Sequence, residues 1–140
     1  TLGNALPAWG ITLWEDVAAG GRLVTAGVVA TSAGWSARIA DHATWQTIDA
    51  SPTVVAASPY VIPQYVRLRR AGDTLYLDVS GDGVNWVCAG TRPLAFAPTA
   101  AGLFVSSGAG STVTASYRFF RYMGSNVGTT ALLDGRRVGY

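Results

Sequence analysis

Short apolar or alternating runs, separated by Gly and Pro, make up most of this 140-residue chain. Val, Ile, Thr, Tyr and Trp fill the runs, and no segment carries the 3.6-residue period of an amphipathic helix. The pattern predicts an all-β protein, an antiparallel sandwich of two sheets. The predicted strands are Gly10 to Val17, Arg22 to Thr31, Trp35 to His42, Thr44 to Asp49, Tyr65 to Arg70, Thr74 to Ser80, Asn85 to Ala89, Gly102 to Ser107 and Thr112 to Tyr122. Three prolines between residues 50 and 64 predict a loop or an edge strand there.

The run from Tyr65 to Ala89 predicts a three-stranded meander whose two faces differ. A four-residue turn, "RAGD", would set Leu68 opposite Leu75, and a two-residue Asp82-Gly83 turn would set Trp86 opposite Val79. The predicted inner face is Val66, Leu68, Leu75, Leu77, Val79, Trp86 and Cys88. The predicted outer face is Arg67, Arg69, Tyr76 and Asp78.

The stretch "LDVSGDGVNWVCAG" also carries two chemical suggestions. Asp78, Ser80 and Asp82 are spaced like the first half of a calcium loop, but Ala89 occupies the twelfth position, where a bidentate carboxylate is needed. Ser80, Asp82 and Trp86 resemble the repeat motif of sialidases, with one residue missing between Asp and Gly. We interpret the stretch as a hairpin turn and predict no metal site.

Composition excludes several classes of protein. Hydrophobic residues make up 49% and charged residues 13% of the chain, which is typical of one globular domain. Ten arginines, no lysine and eight acidic residues give the net charge of +2. Apart from Arg67, Arg69 and Arg70 and the Arg136-Arg137 pair the arginines are scattered, so a nucleic-acid partner is not expected. We expect no signal peptide, transmembrane segment or membrane insertion. With Cys88 as the only cysteine, neither an intramolecular disulfide nor a two-cysteine zinc site is possible, and no cofactor is expected.

Residues for catalysis are sparse. Glu15 and Asp16 are adjacent in a predicted strand and point to opposite faces, whereas glycosidases use two carboxylates in one site. His42 is the only histidine, and no nucleophile-elbow motif accompanies it. We therefore predict no catalytic residues and no enzymatic activity.

Aromatic side chains are the remaining candidates for function. Trp35 and Trp45 flank "SARIADHAT", and an aromatic face beside planar hydrogen-bonding groups suits a sugar ring. The predicted ligand-binding residues are Trp35, Arg38, Asp41, His42 and Trp45. The alternative is ordinary packing of the tryptophans between the sheets.

The run "YVRLRRAGDTLYLDVSGDGVNWVCAG" resembles the late meander of concanavalin A-like lectin/glucanase modules, some of them laminin-G-like. The resemblance lies in Tyr65 to Arg70, Gly72 and Thr74, followed by Ser80, Asp82, Gly83 and Trp86. "GITLWEDVAAGGRLVTAGVV" is similar to the upstream hairpin of these modules, and "AGLFVSSGAGSTVTASYRFFRYM" to their closing strands. Such modules recur in phage tail and other virion proteins. The E-x-D-x-x-E catalytic strand of the family's glycosidases has no counterpart here.

The resemblance implies a jelly-roll sandwich and a location in a virion, outside the cell. We expect a non-enzymatic phage tail or fibre module that binds a host surface glycan and contacts other virion proteins as a homo-oligomer. The alternatives are a purely structural decoration or baseplate protein, and a glycan-active hydrolase. The predicted domains are a sandwich over residues 1–123 and a C-terminal tail over 124–140. The tail would dock on a neighbouring subunit or fold back on its own sheet edge.

Overall fold

A computed structural model describes residues 8–18, 20–31, 34–44, 53–56, 63–106, 115–125 and 128–137. Within these residues the chain forms β-strands and no helix. The strands are β1 (Ala8–Trp14), β2 (Leu23–Thr31), β3 (Gly34–His42), β4 (Thr53–Ala56), β5 (Tyr65–Ala71), β6 (Thr74–Ser80), β7 (Val87–Pro93), β8 (Ala100–Ser106), β9 (Ala115–Ser125) and β10 (Gly128–Arg137). The all-β prediction is therefore confirmed.

The strands form two antiparallel sheets. The first has the order β4-β3-β2-β1-β8 and the second β7-β6-β5-β10-β9. The sheets contact each other face to face, with β1 over β5 and β10, and β3 over β6 and β7. This is the layout of a β-sandwich, in which each sheet buries one face against the other.

Side chains that alternate along the strands form the core between the sheets. Trp9, Ile11 and Leu13 of β1 lie inward, and Leu75, Leu77 and Val79 of β6 meet them from the second sheet. Alternation continues from strand to strand: Val24, Ala26 and Val28 of β2, Trp35, Ala37 and Ile39 of β3, and Val66 and Leu68 of β5. The chain between β7 and β8 adds Leu94 and Phe96 where it crosses from one sheet to the other.

The C-terminal segment lies in the second sheet as β10. It pairs with β9 on one side and with β5 on the other, with Leu133 opposite Val66. Residues 128–137, which the sequence assigns to a separate tail, thus form an inner strand. In the structure this strand lies in the chain's own sheet, between β5 and β9. The division at residue 123 and docking on a neighbouring subunit stay predictions.

The meander from β5 to β7 exists, but both predicted registers are wrong. Leu68 lies opposite Leu77 rather than Leu75, because Gly72 adopts a left-handed conformation (φ +58°) in a tight two-residue turn. A shift of two residues leaves every side chain on its predicted face, since strands alternate with a period of two. Arg67, Arg69, Tyr76 and Asp78 therefore share the outer face, as predicted.

The second register error changes the faces of Trp86 and Cys88. A six-residue loop, 81–86, replaces the predicted two-residue Asp82-Gly83 turn, and Val87 rather than Trp86 lies opposite Val79. A β-bulge between Leu77 and Asp78 then places Cys88 opposite Asp78. Trp86 is half-buried and Cys88 is exposed, so the prediction that both belong to the core face is wrong.

Two predicted segments before β5 have different outcomes. The strand predicted from Thr44 to Asp49 falls almost wholly outside the described residues, and Thr44 itself lies in a bend. The proline-rich segment contributes β4, which among the described residues pairs with β3 alone and lies at the edge of the first sheet, consistent with the prediction of a loop or edge.

Candidate functional site

Strand β3 spreads the predicted ligand-binding residues over both faces of the first sheet. Trp35 is 9% exposed and belongs to the core between the sheets. Arg38, three residues further along, lies on the opposite face because side chains alternate along a strand. Trp35 and Arg38 are therefore not brought to one surface, and Trp45 lies outside the described residues.

Asp41 and His42 have partners inside the protein. The Arg22 Nη2 donates to Asp41 Oδ2 over 2.9 Å, and the same guanidinium lies 5.6 Å from the centre of the Phe96 ring. His42 is buried, with its Nε2 3.0 Å from the Thr25 hydroxyl. Both residues help to hold the ends of β2 and β3 together. The role of the five residues in ligand binding stays a prediction.

The outer face of the second sheet carries a different group of polar and aromatic side chains. Alternation along β5 and β6 places them together, with Arg67 opposite Asp78 and Arg69 opposite Tyr76. Trp86, at the end of the loop before β7, joins them. The members of this outer cluster are Arg67, Arg69, Tyr76, Asp78 and Trp86.

Asp78 is the centre of the outer cluster. Its side chain is 2% exposed, and Arg67 contacts its Oδ2 through Nε at 2.9 Å and Nη2 at 2.8 Å. Arg69 contacts the same oxygen through Nε and the second oxygen, Oδ1, through Nη2 at 3.1 Å. A buried carboxylate is thus paired with two arginines, which removes the large penalty of an unpaired buried charge.

The electrostatics of the outer cluster keep Asp78 ionised. Burial by itself raises the pKa of the Asp78 carboxyl, but hydrogen bonds and positive charge from Arg69 and Arg67 outweigh it and hold that pKa below its usual value. Conversely, the hydrogen bond to Asp78 raises the pKa of the Arg69 guanidinium. The three groups together carry a net charge of +1.

Aromatic rings flank the two guanidinium groups. The Arg67 guanidinium carbon lies 4.3 Å from the centre of the Trp86 ring, and that of Arg69 lies 5.0 Å from the centre of the Tyr76 ring. Both distances are in the range of cation–π contacts. Tyr65 meets Trp86 edge to face, with ring centres 6.5 Å apart. Each ring is half-buried, so part of every one is in contact with solvent.

The loop that positions Trp86 is held by Asp82. Its Oδ1 accepts hydrogen bonds from the backbone N–H groups of Val84 and Asn85, both at 2.8 Å, and from the Ser80 hydroxyl at 2.9 Å. Its Oδ2 accepts one from Asn85 Nδ2 at 2.7 Å. These bonds, those from the Asn85 and Val84 backbone first, strongly lower the pKa of the Asp82 carboxyl.

The Asp82 loop is a structural turn over one end of the outer cluster. Gly83 has φ +77°, and a Cβ there would lie 3.1 Å from the Tyr65 ring, so glycine suits both the conformation and the packing. Asp82 uses both oxygens for hydrogen bonds within the loop. Among the described residues no group of three or more His, Cys, Asp or Glu side chains could hold a metal ion.

The outer cluster offers groups for contacting a ligand, and its carboxylate is poorly suited to acid–base chemistry. Its single carboxylate is almost inaccessible to solvent and fixed by two arginines, so it is not available as an acid or base. The exposed parts are guanidinium edges and aromatic rings, which donate hydrogen bonds and offer apolar faces. The position of these groups is fixed by pairing across the strands, so little side-chain entropy remains to be lost on binding.

Sequence reasoning found four of the five members of the outer cluster without recognising a site. Alternation in "YVRLRR" and "TLYLDVS" places Arg67, Arg69, Tyr76 and Asp78 on one polar face. Trp86 was missed because its face depends on the length of the loop before β7. The available signal was Asp78, which the predicted alternation places on the same face as Arg67 and Arg69 of the neighbouring strand.

Comparisons with known proteins give no relative. No protein-family model, curated protein or solved structure matches the chain.

Among the described residues, no helix has the length and hydropathy to span a membrane.

Proposed function

We propose that this chain is a non-enzymatic carbohydrate-binding module of a virion, with a concanavalin A-like jelly-roll sandwich as its scaffold. The virion setting, in a phage tail or fibre, and the type of sandwich are supported by the sequence resemblance. The outer cluster supports the binding of carbohydrate. It offers half-exposed rings beside fixed guanidinium groups on one sheet face.

The observation that carries the proposal is the position of Trp86 and Tyr76 beside the two arginines. A sugar ring presents C–H groups on its faces and hydroxyls around its edge. Aromatic rings pack against the C–H groups, while guanidinium N–H groups donate to hydroxyl oxygens. The outer cluster places both kinds of group within one small surface. This location differs from the segment between Trp35 and Trp45, whose only described tryptophan lies in the core.

Binding to a broad glycan array, followed by titration calorimetry of the glycans retained, tests the proposal. We expect Trp86→Ala to abolish binding while the protein keeps its far-UV circular dichroism spectrum. The matched control is Trp14→Ala, because Trp14 is also half-buried but lies in β1 of the first sheet. Equal loss of binding in both variants, or full binding by Trp86→Ala, would contradict a site at the outer cluster.

A purely structural virion component is the second candidate, and strand β7 favours it. β7 is an edge strand of the second sheet; its first residue, Val87, is 67% exposed, and Val84 in the preceding loop is 78% exposed. Exposed apolar side chains at an open edge are where a neighbouring subunit can add a strand. This candidate predicts an oligomer in solution whose mass falls to that of the monomer in Val87→Lys, with no glycan retained on the array.

A further inference from the structure

The arginines of the outer cluster have more hydrogen-bond donors than Asp78 accepts. A guanidinium carries five N–H groups, and two nitrogens of each arginine face the carboxylate. Most of the remaining donors lie on Nη1, which makes no contact with Asp78. The Arg67 and Arg69 side chains are 28% and 39% exposed, so these donors can reach a ligand from solvent.

The charge of the outer cluster is also incompletely balanced. Two arginines face one aspartate, and no second carboxylate among the described residues is paired with Arg67 or Arg69. The surface thus retains one positive charge beside two aromatic rings.

We propose that the outer cluster selects saccharides that carry a carboxylate, such as chains of uronic acids, over their neutral counterparts. The inference rests on the function proposed above and specifies the ligand class of that site. The planar guanidinium fork matches a carboxylate with two parallel hydrogen bonds. Trp86, stacked on Arg67, and Tyr76, beside Arg69, then contact the sugar ring whose carboxylate the arginines hold.

A pair of ligands that differ only at the carboxylate tests this selectivity. The probes are an oligogalacturonide and the same oligosaccharide after reduction of its carboxylates to primary alcohols, titrated into the full chain by calorimetry. We expect the acidic form to bind at least tenfold more tightly at low ionic strength. The difference should narrow as salt is added, because salt screens the charge of a half-exposed site.

Arg67→Gln removes the excess charge and leaves Asp78 paired with Arg69 through both oxygens. We expect this variant to bind the acidic and reduced forms with similar affinity. Arg67→Lys keeps the charge without the planar fork, and should retain only part of the preference. Arg70→Gln is the matched control, since Arg70 belongs to the same strand but contacts Gly72 and Asp73 at the turn. It should keep the full preference.

The outcomes separate this inference from the proposed function. Equal binding of both forms by the unmodified protein would overturn the carboxylate preference and leave carbohydrate binding intact. Binding of neither form here, with no glycan retained on the array, would overturn both. An unchanged preference in Arg67→Gln, with the melting temperature preserved, would show that the preference arises elsewhere.

Discussion

The outer faces of the two sheets are built in opposite ways. On the first sheet several outward positions of β1 and β2 are small and buried, namely Ala8, Gly10, Thr12, Thr25 and Gly27. Gly10 and Gly27 lie opposite each other there, so close that neither has room for a Cβ. On the second sheet the outward positions of β5 and β6 hold long charged and aromatic side chains that are partly exposed.

The difference shows two ways in which a sandwich can treat the face turned away from its core. In the first sheet Gly10 and Gly27 have no side chains, so the backbones of β1 and β2 can approach each other closely. The second keeps side chains that neutralise and stack on one another, so that polar groups remain at the surface in fixed positions. The second arrangement brings several charged and aromatic groups together where a ligand can contact them, and the proposed site lies there.

Adding a methyl group to the first sheet should have the largest effect on stability. In Gly27→Ala the new Cβ would clash with the Trp9 carbonyl oxygen and would lie 2.8 Å from Gly10 Cα. Both are backbone atoms, so the strands must separate, and we expect a loss of about 3 kcal/mol in the free energy of unfolding. Urea denaturation measures it.

Gly102→Ala is the control for the glycine substitution. Its Cβ would make an ordinary contact of 3.6 Å with the Thr12 methyl group in the same sheet. The expected change is within about 0.5 kcal/mol. Similar costs for the two substitutions would show that close approach between β1 and β2 is not what stabilises the first sheet.

Removing the charge at the centre of the second sheet's outer face should have the next largest effect. Asp78→Asn leaves two arginines without a counter-charge. Because both are partly exposed, we expect a loss of about 2 kcal/mol, less than for a fully buried pair. Asp73→Asn is the control, since Asp73 is 90% exposed and 3.6 Å from Arg70, and it should leave the melting temperature unchanged.

The effect of Asp78→Asn should also depend on pH, with a defined sign. The folded protein holds the pKa of Asp78 below the unfolded value of about 3.9. The stability it contributes is therefore fully present above that value and is lost as the pH falls through the folded pKa. The difference between wild type and variant should shrink below about pH 4. A difference that stays constant from pH 7 to pH 2 would contradict the ionised role of Asp78.

Trp86→Ala should have the smallest effect on stability, despite the size of the side chain. Trp86 is half-buried on the outer face, so we expect a cost of roughly 1–2 kcal/mol from lost packing and the contact with Arg67. Trp9→Ala, in the core at 4% exposure, should cost about 3–5 kcal/mol. Thermal denaturation compares the two. Equal costs would mean that Trp86 is packed as a core residue.

Much of the fold and part of the site follow from local pattern. Alternation of apolar and polar residues, together with the Gly and Pro residues between the runs, identifies the strands around the core. The same alternation places Arg67, Arg69 and Asp78 on one face. The candidate site between Trp35 and Trp45 is predicted from the types of residue present in that segment. Side chains alternate along a strand, so Trp35 and Arg38 lie on opposite faces of the sheet, and residue type alone does not indicate this.

The sequence by itself determined the class of the protein and the face of most strand residues, because side-chain direction repeats every two residues whatever the partner strand. Tertiary structure decided three further features: the face of Trp86, the place of residues 128–137 between β5 and β9, and the close approach of Gly10 to Gly27. Each depends on contacts between segments distant in sequence or on a loop closed by its own side chains, as Asp82 closes 81–86. Local periodicity contains no information on such long-range pairing, which the free energy of the whole sandwich selects.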